Sequence, residues 1–377
     1  MSTTKVAAGE GAVPPVDLLV VGGGINGVGI ARDAAGRGLS VLLVERGDLA
    51  GATSSASSKL IHGGLRYLEY GDFRLVREAL RERLFWISSA PHIVHKLELI
   101  LPVYKSSRRP RWIMRSGLFL YDLLAGKANL GVHRWLERQE VIDSCPELNS
   151  NELIGAFTFF DAQMDDRALG LWAASQAEQA GVNIKTGTDV SSITPEGDIL
   201  AGEETLHYEM LLNVAGPWAE ALLQRGAIPS THKLDLVRGS HLVLSRPAQH
   251  GFLVEVPDEE RLCFILPYQG QTLLGTTEVR QSLQDPIECS KDEESYLLRV
   301  YNHYIHPVAG EREIFSRFAG LRPLIRSHSN QSYTTREYVI ERKGRVITVF
   351  GGKWTTARAL GEKVALYAER ASHHLND

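Results

Sequence analysis

The segment from Asp17 to Glu45 constrains the fold of this chain more than any other part of the sequence. It reads DLLVVGGGINGVGIARDAAGRGLSVLLVE, and Gly22, Gly24 and Gly27 form a G-x-G-x-x-G motif within it. In such a motif the first glycine permits a tight turn, the second lets the backbone approach a phosphate, and the third lets a helix pack closely on a strand. The segment therefore predicts a dinucleotide-binding unit.

The residues on both sides of the glycines predict the rest of a βαβ unit. An apolar strand over 18–21 precedes them, a helix follows over about 26–37, and a second apolar strand covers 41–44. The N-terminus of such a helix directs free N–H groups and the positive end of its dipole at a bound phosphate. Glu45 lies 23 positions after Gly22, a spacing typical of a carboxylate that accepts hydrogen bonds from ribose hydroxyls.

Length and composition are those of a globular enzyme. The 377 residues allow two or three domains of about 150 residues each. A formal charge of −4 with 44% hydrophobic residues gives no sign of a nucleic-acid partner. The first 16 residues lack the apolar core of a signal peptide and are expected to form a flexible lead. No apolar run approaches the roughly 20 residues that a membrane-spanning helix requires.

Cysteine and histidine spacing gives no indication of a metal site. Three cysteines are widely spaced without a C-x-x-C pair, which disfavours both a disulfide framework and a zinc site and fits a reducing cytoplasm. The pairs His92/His95 and His303/His306 have helical i, i+3 spacing but no arranged acidic ligand. We therefore interpret them as structural and expect no metal.

Later segments predict an α/β chain with two domains. Residues 234–280 alternate between short strands such as HLVLS, CFILP and QTLLGTT, which is an antiparallel signature. The strand VITVF, a glycine turn at 351–352 and a helix over about 355–371 repeat the strand-turn-helix pattern. We expect a Rossmann-like cofactor-binding domain from 1–90, 160–225 and 321–377, and a second α+β domain with an antiparallel sheet from 91–159 and 226–320.

A stretch rich in small residues follows Glu45 and reads GDLAGATSSASSKLIHGGLRYLEYGDF. Composition alone indicates a linker, and an ordinary surface loop is the alternative interpretation. Its position favours a cofactor contact, because open α/β sheets bind ligands beyond the carboxyl ends of their strands. Small residues also let the backbone pass close to a flat cofactor.

Several motifs together resemble the FAD-dependent glycerol-3-phosphate dehydrogenases, within the D-amino-acid-oxidase-like flavoprotein superfamily. Besides the βαβ unit they are ATSSASSKLIHGGLRYLE, NVAGPW, RGSHLVL, LLGTTE, GLRPL and FGGKWTT, in the family's order over about 17–360. Family members continue into a C-terminal helical domain, whereas this sequence ends shortly after FGGKWTT. The stretch over about 125–210 looks compressed, and Trp354 stands where an aliphatic residue is usual.

The resemblance implies FAD rather than a dissociable NAD, and recurring glycine turns are consistent with an extended FAD cradle. Lys353 is expected near the flavin, where a cation stabilises the reduced, anionic ring. On this basis the FAD contacts are expected at Gly22, Gly24, Ile25, Asn26, Gly27, Glu45, Ser54, Ser55, Ser58, Gly63, Gly64, Gly216, Gly352, Lys353 and Thr355.

The resemblance also implies residues for a small anionic substrate. Arg66 and Arg322 are expected to bind its phosphate bidentately, and Tyr67 to add a hydroxyl contact. His241 is the candidate general base, for which a pKa near neutrality is useful. The alternatives are solvated arginines and a strand histidine that is only structural.

The activity that the resemblance implies is oxidation of sn-glycerol 3-phosphate to dihydroxyacetone phosphate, with electrons passed to quinone or another acceptor. One alternative is a related flavin oxidase or dehydrogenase for another anionic 2-hydroxy acid or amine. Another is a flavin-binding subunit of a larger complex. We also retain a homodimer as an expectation about assembly.

A basic segment suggests contact with a membrane surface. Residues 104–115, YKSSRRPRWIMR, contain five basic residues and no acid, interleaved with Trp112, Ile113 and Met114. A stretch of this composition binds anionic lipid, and a solvated basic face is the alternative. We expect a cytoplasmic protein that associates peripherally with the inner face of the membrane.

Overall fold

The structure is a computed structural model that describes residues 16–194, 198–202, 204–326 and 338–373. The expected flexible lead at 1–16 lies outside these residues except for its last position. The strands described are β1 (Val16–Val21), β2 (Val41–Val44), β3 (Leu60–Ile61), β4 (Val94–Tyr104), β5 (Arg134–Glu137), β6 (Leu153–Met164), β7 (Asn183–Lys185), β8 (Val190–Ile193), β9 (Asp198–Ala201), β10 (Glu204–Asn213), β11 (Leu234–Leu244), β12 (Gly251–Glu255), β13 (Leu262–Tyr268), β14 (Gln271–Gly275), β15 (Val279–Arg280), β16 (Ile314–Ile325), β17 (Tyr338–Lys343) and β18 (Val346–Gly351).

Helices connect these strands and cover the sheets. They are α1 (Ile25–Gly36), α2 (Phe73–Ser89), α3 (Arg111–Ala125), α4 (Arg138–Ser144), α5 (Asp166–Gln179), α6 (Ala219–Arg225), α7 (Lys291–Tyr304) and α8 (Ala357–His373). The predicted β1-α1-β2 unit is confirmed to within one or two residues at each end.

The first sheet has the strand order β17-β18-β10-β1-β2-β7, and β9 and β8 extend it from β10. β1 pairs in parallel with both β2 and β10, and β10 in parallel with β18. Most of β1 and all of β2 are buried, as expected of strands covered on both faces. Helices α1, α5 and α8 supply apolar side chains to the core on one face.

The second sheet has the order β15-β11-β14-β13-β12-β4-β6-β3, with β16 paired to β11 and β5 to β6. Its pairs are antiparallel apart from β12 with β4. The antiparallel arrangement predicted for 234–280 is therefore confirmed. Together the two sheets form the α/β architecture that the sequence predicts, with a Rossmann-like unit and a second α+β part.

The two sheets meet where β16 passes the serine-rich stretch after β2. The Thr53 hydroxyl donates to the carbonyl of Leu321 at 2.8 Å. A Cβ at Gly320 would lie 2.8 Å from the carbonyl oxygen of Ala56, so the backbones approach closely. β3 and the end of β16 belong to the second sheet, although the predicted division assigns 60–61 and 321–325 to the cofactor domain. The division into two domains itself stays a prediction.

Candidate active site at the cofactor cleft

The turn between β1 and α1 is shaped by two glycines. Gly22 adopts φ +117°, a conformation that favours glycine. A Cβ at Gly27 would overlap the carbonyl oxygen of Gly22. The third glycine of the motif is therefore required by helix-strand packing, as predicted. Gly24 precedes α1 without a capping side chain, which leaves backbone N–H groups at the start of the helix for an anion.

Glu45 lies beside this turn at the end of β2. Its Oε2 accepts the amide of Gly23 at 2.6 Å, and its Oε1 accepts the amide of Gly47 at 2.9 Å. A carboxylate has about four acceptor positions, so each oxygen keeps one for a further donor. The carboxylate is held in place by backbone and remains able to accept two hydroxyl groups.

A cleft opens above these residues. Ten of the fifteen predicted FAD contacts line it, in a group that combines the first βα turn with later turns. They are Gly22, Gly24, Ile25, Asn26, Gly27, Glu45, Ser54, Gly216, Gly352 and Lys353. The structure thus brings together residues more than 300 positions apart in the sequence.

The other five predicted FAD contacts do not line the cleft, and their polar groups have protein partners. The Ser55 hydroxyl donates to the carbonyl of Ala52, and that of Thr355 to the carbonyl of His62. A Cβ at Gly64 would overlap the ring of Tyr67. Ser58 and Gly63 have partners described below. Their roles as FAD contacts stay predictions.

Sequence reasoning missed Trp354 as a part of the cleft wall. Its indole N–H donates to the carbonyl of Ser54 at 2.7 Å, and the Ser54 hydroxyl accepts the amide of Ile25 at 3.0 Å. The indole thereby ties the glycine turn after β18 to the loop above α1. The unusual aromatic residue in FGGKWTT was the available signal, but its partner is not visible in the sequence.

The cleft wall contains a second contact that the sequence does not reveal. The Arg46 guanidinium lies 3.9 Å from the centroid of the Trp218 ring, and both residues line the cleft. Trp218 follows Gly216 in the NVAGPW motif, and Gly216 takes φ +54°. This contact joins the end of β2 to the turn after β10.

Lys353, another residue of the cleft wall, lies over an aromatic ring. Its Nζ is 4.0 Å from the centroid of Tyr67 and has no hydrogen-bond partner although it is buried. Arg66 precedes Tyr67 in a short 3₁₀ helix, and its Nε is likewise buried without a partner. The structure therefore places Lys353 against Tyr67, the residue that follows Arg66.

Arg322 reaches across β11 to the loop after β14. Its Nη2 donates to the carbonyl of Thr277 at 2.8 Å, and its Nη1 lies 3.5 Å from Glu278. A Cβ at Gly239 would overlap Nη2, so the glycine in RGSH leaves room for the guanidinium. Two backbone features, a carbonyl and an absent side chain, fix the orientation of Arg322.

His241 lies on β11 and is buried. Its ring stacks on Phe318 with centroids 4.8 Å apart, and its Nε2 lies 2.9 Å from the Ser58 hydroxyl. Its Nδ1 is buried without a partner. Burial, together with the positive charges of Arg322 and Lys59, lowers the pKa of His241 to about 3. The expectation of a near-neutral pKa is therefore wrong for the free protein, in which His241 is uncharged.

A buried carboxylate, Glu293, holds the segment that carries His241 and the loop whose carbonyl contacts Arg322. Its Oε1 accepts the hydroxyls of Ser240 at 2.8 Å and Thr277 at 2.6 Å, and its Oε2 pairs with Arg238 at 2.8 Å. These hydrogen bonds outweigh the effect of burial and lower the pKa of Glu293 to about 2. Glu293 is therefore ionised at neutral pH. Its hydrogen bonds hold Ser240, which precedes His241, and Thr277, whose carbonyl contacts Arg322.

The Lys59–Asp166 pair holds the serine-rich loop in the same way. Lys59 Nζ lies 2.5 Å from Asp166 Oδ1, and both side chains are buried. Asp166 also accepts the amide and the hydroxyl of Ser57, at 3.0 and 2.7 Å. Since Ser58 follows directly, this pair fixes the loop that faces His241. Sequence reasoning assigned no role to Lys59, Asp166 or Glu293.

Buried polar atoms without partners concentrate at this site. In the described part of the chain, seven buried side-chain nitrogen or oxygen atoms lack a hydrogen-bond partner. Four of them belong to predicted site residues, namely Asn26, Arg66, His241 and Lys353. Buried polar groups are normally satisfied, so this concentration indicates a place where a polar ligand binds.

The described residues give no indication of a metal site. Over 16–194, 198–202, 204–326 and 338–373, no group of three or more His, Cys, Asp or Glu side chains is arranged to hold a metal ion. The helical spacing inferred for His92 and His95 is wrong, because His92 lies in a turn and His95 in β4. His303 lies in α7, whereas His306 follows it.

Sequence comparison with protein families identifies the fold and its cofactor class. The family described as DAO, FAD dependent oxidoreductase, matches residues 17–366. The chain belongs to this family of FAD-dependent oxidoreductases. The match covers both sheets and all the motifs listed above, so the resemblance seen in the sequence is confirmed.

Individual relatives have related descriptions. The chain is 39% identical over 366 residues to the D-erythritol 1-phosphate dehydrogenase of Brucella abortus, covering 92% of this chain and 72% of that protein. It is 40% identical over 370 residues to the glycerol-3-phosphate dehydrogenase of Pseudomonas aeruginosa, covering 92% and 70%. The FAD complex of a glycerol-3-phosphate dehydrogenase from Bacillus halodurans superposes with a TM-score of 0.77 at 25% identity, covering 95% of this chain and 65% of that one.

FAD is the cofactor of this family, and the residues present fit it. The α1 N-terminus and the open approach at Gly24 suit a pyrophosphate, and Glu45 keeps acceptor positions for ribose hydroxyls. Asn26 and Lys353 bring unpartnered polar atoms to the cleft wall. These residues would hold FAD, which supplies a two-electron acceptor for hydride when bound.

We predict that Glu45→Ala weakens FAD binding by roughly 10- to 150-fold, because one lost hydrogen bond to a charged group costs about 1.5–3 kcal/mol. The dissociation constant is measured by equilibrium dialysis with FAD fluorescence as the readout. Glu204→Ala removes an exposed carboxylate of the same sheet and serves as the control. Equal FAD affinity of the Glu45 variant and the parent would contradict the role of Glu45.

Proposed function

We propose that this protein oxidises sn-glycerol 3-phosphate to dihydroxyacetone phosphate with FAD as the hydride acceptor. The observation that carries the proposal is a set of three cationic residues, here called the cationic group. Lys353 lines the cleft, Arg66 precedes the tyrosine that Lys353 contacts, and Arg322 precedes Pro323, which also lines the cleft. Arg66 and Lys353 have buried nitrogen atoms without hydrogen-bond partners. Such a group suits a phosphate monoester better than an uncharged polyol.

The three cationic residues have different proposed roles. The guanidinium groups of Arg66 and Arg322 bind phosphate oxygens, for which their planar fork is suited. Lys353, held over Tyr67, provides positive charge next to the cleft, where negative charge develops during hydride transfer. The carbonyl of Thr277 fixes Arg322 before the substrate arrives, which reduces the entropy lost on binding.

His241 is the proposed acceptor of the hydroxyl proton. Oxidation removes two electrons and one proton as hydride and a second proton from the hydroxyl. Neutral imidazole is the form that can accept the second proton, and His241 is neutral because burial and two cations lower its pKa to about 3. A bound phosphate dianion offsets the charge of Arg322, which raises the pKa of His241 towards the range that proton transfer needs.

The substrate class is supported by the names of the relatives and by the site. Both D-erythritol 1-phosphate and glycerol 3-phosphate are polyol monophosphates, and the enzymes named for them match 92% of this chain. Neither another anionic 2-hydroxy acid nor an amine is better supported by the comparisons. We therefore propose glycerol 3-phosphate as substrate and erythritol phosphate as the comparison to make experimentally.

Quinone is the proposed electron acceptor, and α3 the proposed contact with a membrane surface. No helix within the described residues is both long and apolar enough to cross a membrane. On α3, Trp112, Phe119 and Leu123 lie on one stripe and are 68%, 61% and 65% exposed. A helix with an apolar outer face of this kind lies in the plane of a bilayer interface. The homodimer stays a prediction.

The basic residues of this segment contribute less charge than their sequence suggests. Arg108 lies 2.8 Å from Glu260, Arg109 pairs with Glu69 and Glu255, and Arg111 lies 3.9 Å from Glu137. Acids from distant segments therefore compensate a run that contains none itself. The apolar stripe, rather than the arginines, is the stronger support for surface binding.

We predict that Arg322→Ala lowers the ratio of the flavin reduction rate to the substrate dissociation constant by roughly 10- to 150-fold, since a lost charged hydrogen bond costs about 1.5–3 kcal/mol. Bound FAD should be retained. Anaerobic stopped-flow reduction by sn-glycerol 3-phosphate measures both quantities. Arg326→Ala, which removes an exposed arginine just after β16, should behave like the parent. An unchanged ratio in the Arg322 variant would remove this residue from the site.

For His241→Asn we expect a fall of about 10²–10⁴ in the limiting rate of flavin reduction, the usual worth of a general base. His250→Asn, at a half-buried histidine paired with Glu147, is the control. Normal reduction in the His241 variant would leave that residue only a structural role.

The pH dependence of the parent tests the lowered pKa of His241. Its cationic form is disfavoured by burial, so His241 stays neutral until the pH approaches about 3. For each protein, the flavin reduction rate is divided by the substrate dissociation constant. Dividing the parent's value by that of His241→Asn then removes the effect of substrate phosphate ionisation, which both proteins share. We predict that this ratio is flat between pH 5 and 8. A tenfold loss per pH unit below 6.5 would show an ordinary histidine.

Replacing Trp112, Phe119 and Leu123 together by Ser should weaken binding to anionic vesicles more than about tenfold, since a buried apolar side chain is worth about 1.5–3 kcal/mol. Co-sedimentation measures the bound fraction. An Arg108/Arg109/Arg111→Ser variant should lose less, and Phe315→Ser, an equally exposed phenylalanine on β16, should lose nothing. Parent-like sedimentation of the apolar variant would exclude α3 as the membrane contact.

A further inference from the structure

Tyr121 lies on the inner side of α3, opposite the exposed stripe, and its hydroxyl is fully buried. The hydroxyl donates to Asp161 Oδ1 on β6 at 2.7 Å and accepts the amide of Gly63 at 2.8 Å. The Gly63 amide lies 3.2 Å from the same carboxylate oxygen. A tyrosine, an aspartate and a backbone amide therefore form one closed hydrogen-bonded group.

Arg83 on α2 fixes the carboxylate of that group. Its Nη1 lies 2.7 Å from Asp161 Oδ1 and donates to the carbonyl of Phe160 at 2.6 Å, and its Nη2 donates to the carbonyl of Ala128 at 3.1 Å. Both charged groups are buried, and separating them would leave an unpaired buried charge. The pair therefore keeps its geometry. The carboxylate cannot move away from Tyr121 without leaving the guanidinium.

The anchored amide stands at the start of the segment that carries Arg66. Gly64 follows with φ +75°, and the 3₁₀ helix Leu65–Tyr70 begins at the next residue. A Cβ at Gly63 would overlap Leu80 and the Tyr121 hydroxyl, so the glycine is required for the contact. The position of the Gly63 amide sets where the 3₁₀ helix begins, and thereby where Arg66 and Tyr67 lie.

We propose that Tyr121 is a positioning residue for substrate binding, which acts on the phosphate-binding Arg66 through the amide of Gly63. The inference rests on the proposed function, since it assigns Arg66 to the substrate phosphate. Tyr121 itself does not line the cleft. Its contribution is to keep the Arg66 guanidinium in place before the substrate binds, so that less ordering is needed on binding.

Tyr121→Phe removes only the oxygen atom of this contact. We expect the apparent dissociation constant of sn-glycerol 3-phosphate to rise about tenfold, as for one lost hydrogen bond of about 1.4 kcal/mol. The limiting rate of flavin reduction should change less than about twofold. Tyr104→Phe is the matched control, because Tyr104 is also buried and donates a single hydrogen bond, to the carbonyl of Asn149.

A double-mutant cycle with Arg66→Ala separates positioning from general stability. If Tyr121 acts through Arg66, adding Tyr121→Phe to Arg66→Ala leaves the dissociation constant unchanged. Additive effects of the two substitutions would overturn the proposal. So would a dissociation constant that stays at the parent value in Tyr121→Phe while the thermal midpoint falls as in Tyr104→Phe.

Two further experiments distinguish failure of this proposal from failure of the proposed function and from misfolding of the variant. If the parent's flavin is not reduced by sn-glycerol 3-phosphate, the proposed function fails, and the cycle is then run on binding of inorganic phosphate, followed by the flavin absorption spectrum. If Tyr121→Phe does not fold, Tyr121→Met replaces it, because methionine is a flexible apolar side chain that adapts to a buried site and also lacks the hydroxyl. An unaltered phosphate affinity in the variant that folds would overturn the proposal.

Discussion

The contact between Gly27 and the carbonyl of Gly22 is the constraint on which the cofactor cleft depends. A side chain at Gly27 would overlap that carbonyl, so only glycine lets α1 begin directly over the end of β1. The helix N-terminus then faces the turn, and the parallel pairing of β1 with β2 brings Glu45 beside it. Phosphate-binding and ribose-binding groups are thus placed by one backbone approach rather than by separate side-chain contacts.

On the substrate side of the site, buried carboxylates hold the backbone in place. Asp161 holds the amide of Gly63, Asp166 holds the loop of Ser57, and Glu293 holds Ser240 together with Thr277. Each is satisfied by several donors, as a buried charge must be. Each also holds a residue that is followed directly by a predicted site residue, namely Gly64, Ser58 and His241. The site is therefore rigid because its supports are ionic and hydrogen-bonded, not because its own side chains are paired.

Much of the cofactor domain was predictable because its signals are local. Spacing within 17–45 is enough to place β1, α1 and β2, and the family resemblance placed the cationic residues. Contacts between distant segments were not predictable, such as Trp354 with Ser54, Ser58 with His241, and the acids that compensate the arginines before α3. These depend on how two sheets pack. The low pKa of His241 follows from the same packing, since burial and Arg322 cause it.

We propose that the FAD-loaded cleft and the adjacent cationic group together oxidise a polyol phosphate. Anaerobic titration of the FAD-loaded protein with sn-glycerol 3-phosphate tests it most directly, with flavin absorbance and dihydroxyacetone phosphate measured in the same sample. We predict loss of the oxidised flavin spectrum and formation of one dihydroxyacetone phosphate for each flavin reduced. A flavin that stays oxidised at saturating glycerol 3-phosphate, but is reduced by an anionic 2-hydroxy acid or amine, would contradict it.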